Sequence, residues 1–100
     1  MARTTEQDFI ASLDRDPAPA DLPPTLRAIR HGLRGEWEQA HGIVQGLDGA
    51  DAAWIHAWLH RIEGDLDNAG YWYRRAGRPV ASGGTDEEGR LIGAALSRGS

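Results

Sequence analysis

The sequence predicts an all-α protein, a single domain of about six helices. Three observations carry this. Apolar residues recur at helical spacing between glycine- and proline-rich breaks. Two segments repeat each other at an offset of 29 residues, with Gly35-Glu36-Trp37-Glu38-Gln39-Ala40 set against Gly64-Asp65-Leu66-Asp67-Asn68-Ala69. The chain of 100 residues, 40% hydrophobic and 26% charged, has the size and composition of one folded unit.

The elements follow in chain order. Thr4 or Thr5 can cap a first helix over about residues 5–15, with Gln7 or Asp8 returning the bond and Phe9, Ile10 and Leu13 as its apolar stripe. Residues 16–24, DPAPADLPP, hold four of the five prolines; fixed φ and missing amide donors make this a stiff connector, with Pro23 or Pro24 acceptable in the first turn of the next helix. Leu26, Ile29 and Leu33 mark a helix ending near Gly35, and Trp37, Ala40, Val44 and Leu47 mark its return, a hairpin over about 22–47. A second hairpin over about 52–77 follows, its second helix showing Leu66, Ala69, Tyr73 and Ala76 before Gly77 and Pro79 stop it. A flexible loop over residues 81–84 leads to a last helix over about 85–98. Thr85 and Glu88 are spaced as a capping box, and Leu91, Ile92, Ala95 and Leu96 are apolar.

The 29-residue offset also pairs Ala28 with Ala57, His31 with His60, Leu33 with Ile62 and Val44 with Tyr73. A two-helix unit repeated at such a period is the mark of an α-solenoid. On the G-[DE]-aromatic/Leu-x-x-A turn, the alanine opening the second helix and the bulky residue four further on, residues 22–77 resemble the tetratricopeptide repeat family. The resemblance implies a concave interaction surface. The chain departs from the family in its period, 29 against the usual ~34, and in carrying His31 and His60 where the family has an aromatic on the first helix. The segment LHRIEGDLDNAGYWYRRAG also resembles a set of small bacterial and fungal proteins, a likeness that implies no activity. Two hairpins cannot cover their own faces, so the first and last helices are expected to cap them.

Charge and composition narrow the function. A net charge of −4 and an absence of lysine among 11 basic residues give no basic face for nucleic acid, which is not expected as a partner. An all-arginine basic complement suits a GC-rich bacterial genome. With no cysteine there is no disulfide or thiolate metal site, and with no apolar run near ~20 residues there is no membrane span; a cytoplasmic protein is expected. No phosphate loop or G-x-S-x-G occurs, so no catalytic residue is assigned and no cofactor is expected.

Two concentrations of functional side chains remain. His56 and His60 lie one helical turn apart with Glu63 extending the stripe, a spacing that can present two imidazoles to a zinc ion, although nothing in the sequence brings His31 or His41 to complete a set of three. The alternative is structural, each histidine bonding a carbonyl or polar neighbour and stapling its hairpin. Trp54 and Trp58, with Ile29, Leu33 and Arg61, form the second concentration. Burying each indole removes about 150–250 Å² from water, about 4–6 kcal/mol gross, so either the terminal helices cover this face or it stays open as a groove. Arg27, Arg30 and Arg34, and Arg74, Arg75 and Arg78, are expected to form solvated ion pairs with Glu36, Glu38, Asp65 and Asp67. The functional expectation is a small interaction module that binds a protein or peptide partner, or itself as a homo-oligomer, through the Trp54 and Trp58 face. The alternative is a small-molecule or metal-binding protein, an enzyme included, using His56, His60 and Glu63.

Overall fold

The computed structural model describes residues 6–14 and 22–99, with side chains up to residue 97. The cap read at Thr4 or Thr5 and residues 16–21 of the proline connector lie outside the described residues. Within them the chain is all-α: α1 Glu6–Ser12, α2 Pro24–Leu33, α3 Trp37–Gln45, α4 Ala50–Ile62, α5 Leu66–Ala76 and α6 Thr85–Gly99. No helix among the described residues is long and apolar enough to cross a membrane.

The internal repeat is visible in the backbone. In the first hairpin Arg34, Gly35 and Glu36 donate to the carbonyls of Arg30, Gly32 and His31, and 29 residues on Glu63, Gly64 and Asp65 donate to those of Leu59, Arg61 and His60. Gly35 at φ 79° and Gly64 at φ 83° supply the left-handed residue that lets each helix reverse direction. Asp65 then caps α5, accepting from the Asn68 amide at 3.3 Å, and its carboxyl is held below the usual range first by the Asn68 side-chain bond. Glu36, its counterpart, makes no such cap; its carboxylate turns back to His31 Nδ1 at 2.9 Å, the bond that most lowers its pKa.

α4 is the centre. All of Ala52 to Leu59 is buried, because α5, α3, α6 and α2 pack around it, the first most extensively. Such a helix needs apolar residues on every side, and the small Ala52, Ala53 and Ala57 let its neighbours approach. α1 and α6 close the assembly: Phe9 packs against Gly93, and Arg30 Nε donates to the Ser12 carbonyl at 2.8 Å to tie α1 to α2.

α6 is joined to α4 and α5 through Glu88. Its carboxylate accepts from the Tyr73 hydroxyl and from Arg61 Nη1 at 2.5 Å, and Arg61 Nη2 donates to the Gly83 carbonyl at 2.7 Å. The expected capping box at Thr85 is therefore not formed: helix α6 starts one residue earlier than the box requires, on the Gly84 carbonyl, and Glu88 faces inward. Burial first, and then the Glu88 bond, raise the Tyr73 pKa and keep the phenol a donor. Replacing Glu88 by alanine leaves the buried Tyr73 hydroxyl and the partly buried Arg61 guanidinium without their shared acceptor, and should lower unfolding free energy by about 2–3 kcal/mol. Urea denaturation of the wild type and the E88A variant checks this; a loss below about 1 kcal/mol would show the network contributes little.

Trp58 is the other joint. Its Nε1 donates to the Thr85 carbonyl at 2.7 Å, and its ring fills a slot between Gly32 of α2 and Gly89 of α6. A Cβ on Gly32 would lie 2.5 Å from the ring, and one on Gly89 would fall well inside 3.0 Å of it and 2.8 Å from Leu33 Cδ2. These helix-interior glycines admit a large ring where any side chain would exclude it.

Candidate metal centre

The face read as a groove is closed. Trp58 is 1% exposed, Trp54 5% and Ile29 fully buried, and α6 with the connector before it supplies the cover. Of the two arrangements the sequence allowed for this face, cover by a terminal helix or an open groove, the cover is the one present over Trp58 and Ile29. The physical reason is area: leaving two indoles in water forfeits several kcal/mol that α6 recovers by packing on them. Leu33 is partly buried beside this cluster, and Arg61 is spent on Glu88 and Gly83.

The histidines lie on the opposite side of α4. His56 and His60 stack with ring centroids 5.9 Å apart, as their spacing requires, and α3 brings His41 to them edge-on, 5.1 Å from His56 and 5.7 Å from His60. One ring nitrogen from each of His41, His56 and His60 lies within 4.8 Å of the others. Around a tetrahedral zinc with bonds of ~2.0–2.1 Å the nitrogens would sit ~3.3 Å apart, so the rings would have to draw together from their present spacing to hold an ion.

Each imidazole has its own positioning partner. Trp37, anchored by its Nε1 donating to the Leu59 carbonyl at 2.7 Å, stacks on His41 at 4.5 Å. Trp72 of α5 stacks on His56 at 4.0 Å with an interplanar angle of 8°. His60 meets Glu63 through Nδ1 at 2.7 Å, which leaves Nε2 as its free donor atom. His31 makes the equivalent bond to Glu36 but belongs to no such group among the described residues, whereas His60 also lies with Glu63 and Asp65 in a second, more exposed set of ligand atoms within 4.8 Å of one another.

The electrostatics suit a cation. Burial first, and then the neighbouring His41 and His60, lower the pKa of His56 to about 4; His41 is lowered by burial first and then by His60, against the opposing pull of Glu63. A neutral imidazole is the metal-binding form. His56 is 7% exposed, and its Nδ1 has no hydrogen-bond partner. A buried nitrogen left unpaired costs stability unless something satisfies it.

One pH dependence follows. Because the folded pKa of His56 lies near 4 against 6.5 when free, the unfolded chain binds more protons between those values. Its contribution is full above pH 6.5 and is lost as pH falls towards 4, on the order of 3 kcal/mol in all. In metal-free protein the His56→Phe variant, which keeps a ring against Trp72, should show a flatter fall between pH 7 and 4.5 than the wild type; equal slopes would assign the acid sensitivity elsewhere.

Sequence reasoning found His56, His60 and Glu63 and missed His41. The signal was present in α3, where Trp37, His41 and Val44 stand at i, i+4 and i+7 and so share the face turned to α4. It also missed Trp72 as the cover of His56. Some arginines pair differently from expectation: Arg78 lies 3.7 Å over the Trp54 ring and Arg75 bonds the Tyr71 hydroxyl at 3.0 Å, while Arg34 and Glu36, 3.6 Å apart, form an expected turn pair. Comparison of the chain with family models, curated proteins and solved structures finds no match.

Proposed function

We propose that this protein binds one divalent late-transition-metal ion, zinc foremost, through His41, His56 and His60. The observation that carries the reading is the convergence of three imidazoles from two helices with the buried Nδ1 of His56 unpartnered. Three borderline nitrogen donors without a thiolate favour zinc, copper or nickel over magnesium or calcium, which prefer oxygen. The test is equilibrium dialysis of untagged protein against zinc with elemental analysis of the retentate. One zinc per chain supports the reading, and a blank result ends it.

The paired hairpins support a tetratricopeptide-like architecture, and with it a second reading as an interaction module. Its surface is not the ring of Trp58 but the cleft of about 550 Å³ between the 77–84 connector and α6, where Val80 and Leu91 are well exposed beside Trp54. A second copy of the chain is the occupant this reading names, since two-fold contact would cover those residues symmetrically. Sedimentation should then show a concentration-dependent dimer that Leu91→Asp abolishes; a monomer at all concentrations would remove the reading.

A further inference from the structure

Away from the histidines, the cleft of about 550 Å³ between the 77–84 connector and α6 falls within the range of small-molecule sites, about 300–1,000 Å³. Its walls combine three kinds of surface. Trp54, itself buried, contributes an indole; Val80 and Leu91 are apolar and well exposed; Arg78 and Glu87 bring one charge of each sign.

These two charges are uncommitted, while the acidic groups beside them are spent. Asp86 pairs with Arg90 at 3.0 Å, and Glu88 is taken by Tyr73 and Arg61. Glu87, between them in the first turn of α6, makes no hydrogen bond or ion pair among the described residues. Arg78 rests the face of its guanidinium on Trp54, 3.7 Å from the ring centre, and has no carboxylate partner among the described residues. A guanidinium stacked by its face keeps its in-plane donors for a carboxylate. The stack also orders the side chain beforehand, which lowers the entropy cost of using it.

Arg78 belongs to the connector wall and Glu87 to the α6 wall, and the apolar Val80 and Leu91 are divided between the same two walls. An anion alone would meet Glu87 as well as Arg78, and would approach a chain of net charge −4; a cation alone would meet Arg78. A ligand that carries both charges and is neutral overall satisfies both walls. We infer that the cleft binds a small zwitterion with an apolar body, an aliphatic amino acid or dipeptide, its carboxylate on Arg78, its ammonium on Glu87 and its side chain against Val80, Leu91 and Trp54. Neither the metal at the histidines nor self-association is needed for this. A second copy of the chain, the occupant named above for the cleft, would compete for the same walls.

Isothermal titration of the untagged full chain with leucine and with leucyl-leucine tests the site. One ligand should bind per chain, and whichever of the two binds more tightly reports the span between Arg78 and Glu87. Acetylating the amine of that ligand, or converting its carboxylate to the amide, should weaken binding about tenfold in each case, the scale of a charge-assisted hydrogen bond. Arg78→Gln should erase only the difference between acid and amide, and Glu87→Gln only the difference between free and acetylated amine. Both side chains are exposed, so the fold should persist, and a change in packing would not sort the ligands in this way. Absence of binding by either ligand at millimolar concentration, or equal binding of the blocked forms, would overturn the assignment. So would a dimer in sedimentation that neither ligand dissociates, which would give the cleft to a second copy.

Discussion

His56→Ala should abolish high-affinity zinc binding, lowering affinity by more than about 100-fold, while the helical circular dichroism of the protein is retained. The magnitude follows from comparison: loss of a group that only orients a ligand costs 10–100-fold, and His56 would be a ligand itself. His56 is also the member that α5 covers, so its removal takes away the imidazole whose position is most firmly set by the fold. Its absence relieves a buried unpaired nitrogen but leaves a gap under Trp72, and the two effects on stability oppose each other. His41→Ala, at a half-buried position, is the companion variant with less effect on packing. Isothermal titration of both variants decides the point; zinc affinity within threefold of wild type in either would show that the cluster is not the binding site.

The second large effect is on stability. Gly89→Ala should cost about 2–3 kcal/mol despite alanine's preference for helix, which by itself favours the variant by about 1 kcal/mol. The new methyl meets the Trp58 ring and Leu33 together. The ring cannot step aside, because Gly32 is behind it and its Nε1 is held by Thr85. Gly93→Ala meets the Phe9 ring instead, in the short terminal helix α1, which can shift at lower cost. The order expected from thermal melts is therefore wild type, then Gly93→Ala, then Gly89→Ala as least stable. In a Trp58→Leu background Gly89→Ala should become nearly neutral, and an undiminished penalty there would show that Trp58 is not the obstacle.

Much of the fold was legible because its instructions are local. Gly35 and Gly64 each end a helix in a conformation other residues avoid, each is followed by an acidic residue, and the helical spacing on either side names the buried faces. The paired turns could thus be aligned before any contact was known. Glu88 shows where such reasoning stops: a glutamate three residues after a threonine fits a capping box, but Tyr73 and Arg61, 15 and 27 residues away in the chain, compete for its carboxylate and hold it. The same limit applies to Gly32, Gly89 and Gly93. A single glycine inside a helix reads as a local weakness, and nothing near it in the chain announces that an indole or a phenyl ring occupies the space left by its missing side chain.

The candidate site was half legible for a related reason. His56 and His60 share a face by virtue of one helix, so the chain alone brings them together. His41 joins them only because α3 crosses α4 at that height, a property of how the first hairpin seats on the second. Trp72 covers His56 from a third helix. Proximity within one helix can be counted in residues; proximity between helices depends on crossing angles that no spacing encodes.

The placement of the four tryptophans gives the protein a built-in optical readout. Trp37 and Trp72 lie on the histidine cluster, Trp54 sits beneath Arg78, and Trp58 is wedged between α2 and α6. Copper(II) at the cluster would quench the emission of the first two through proximity, whereas release of α6 would expose Trp58 to water and shift its emission to the red. Occupancy and undocking thus write to different indoles. Single-tryptophan variants would allow each event to be followed by fluorescence without attaching a dye.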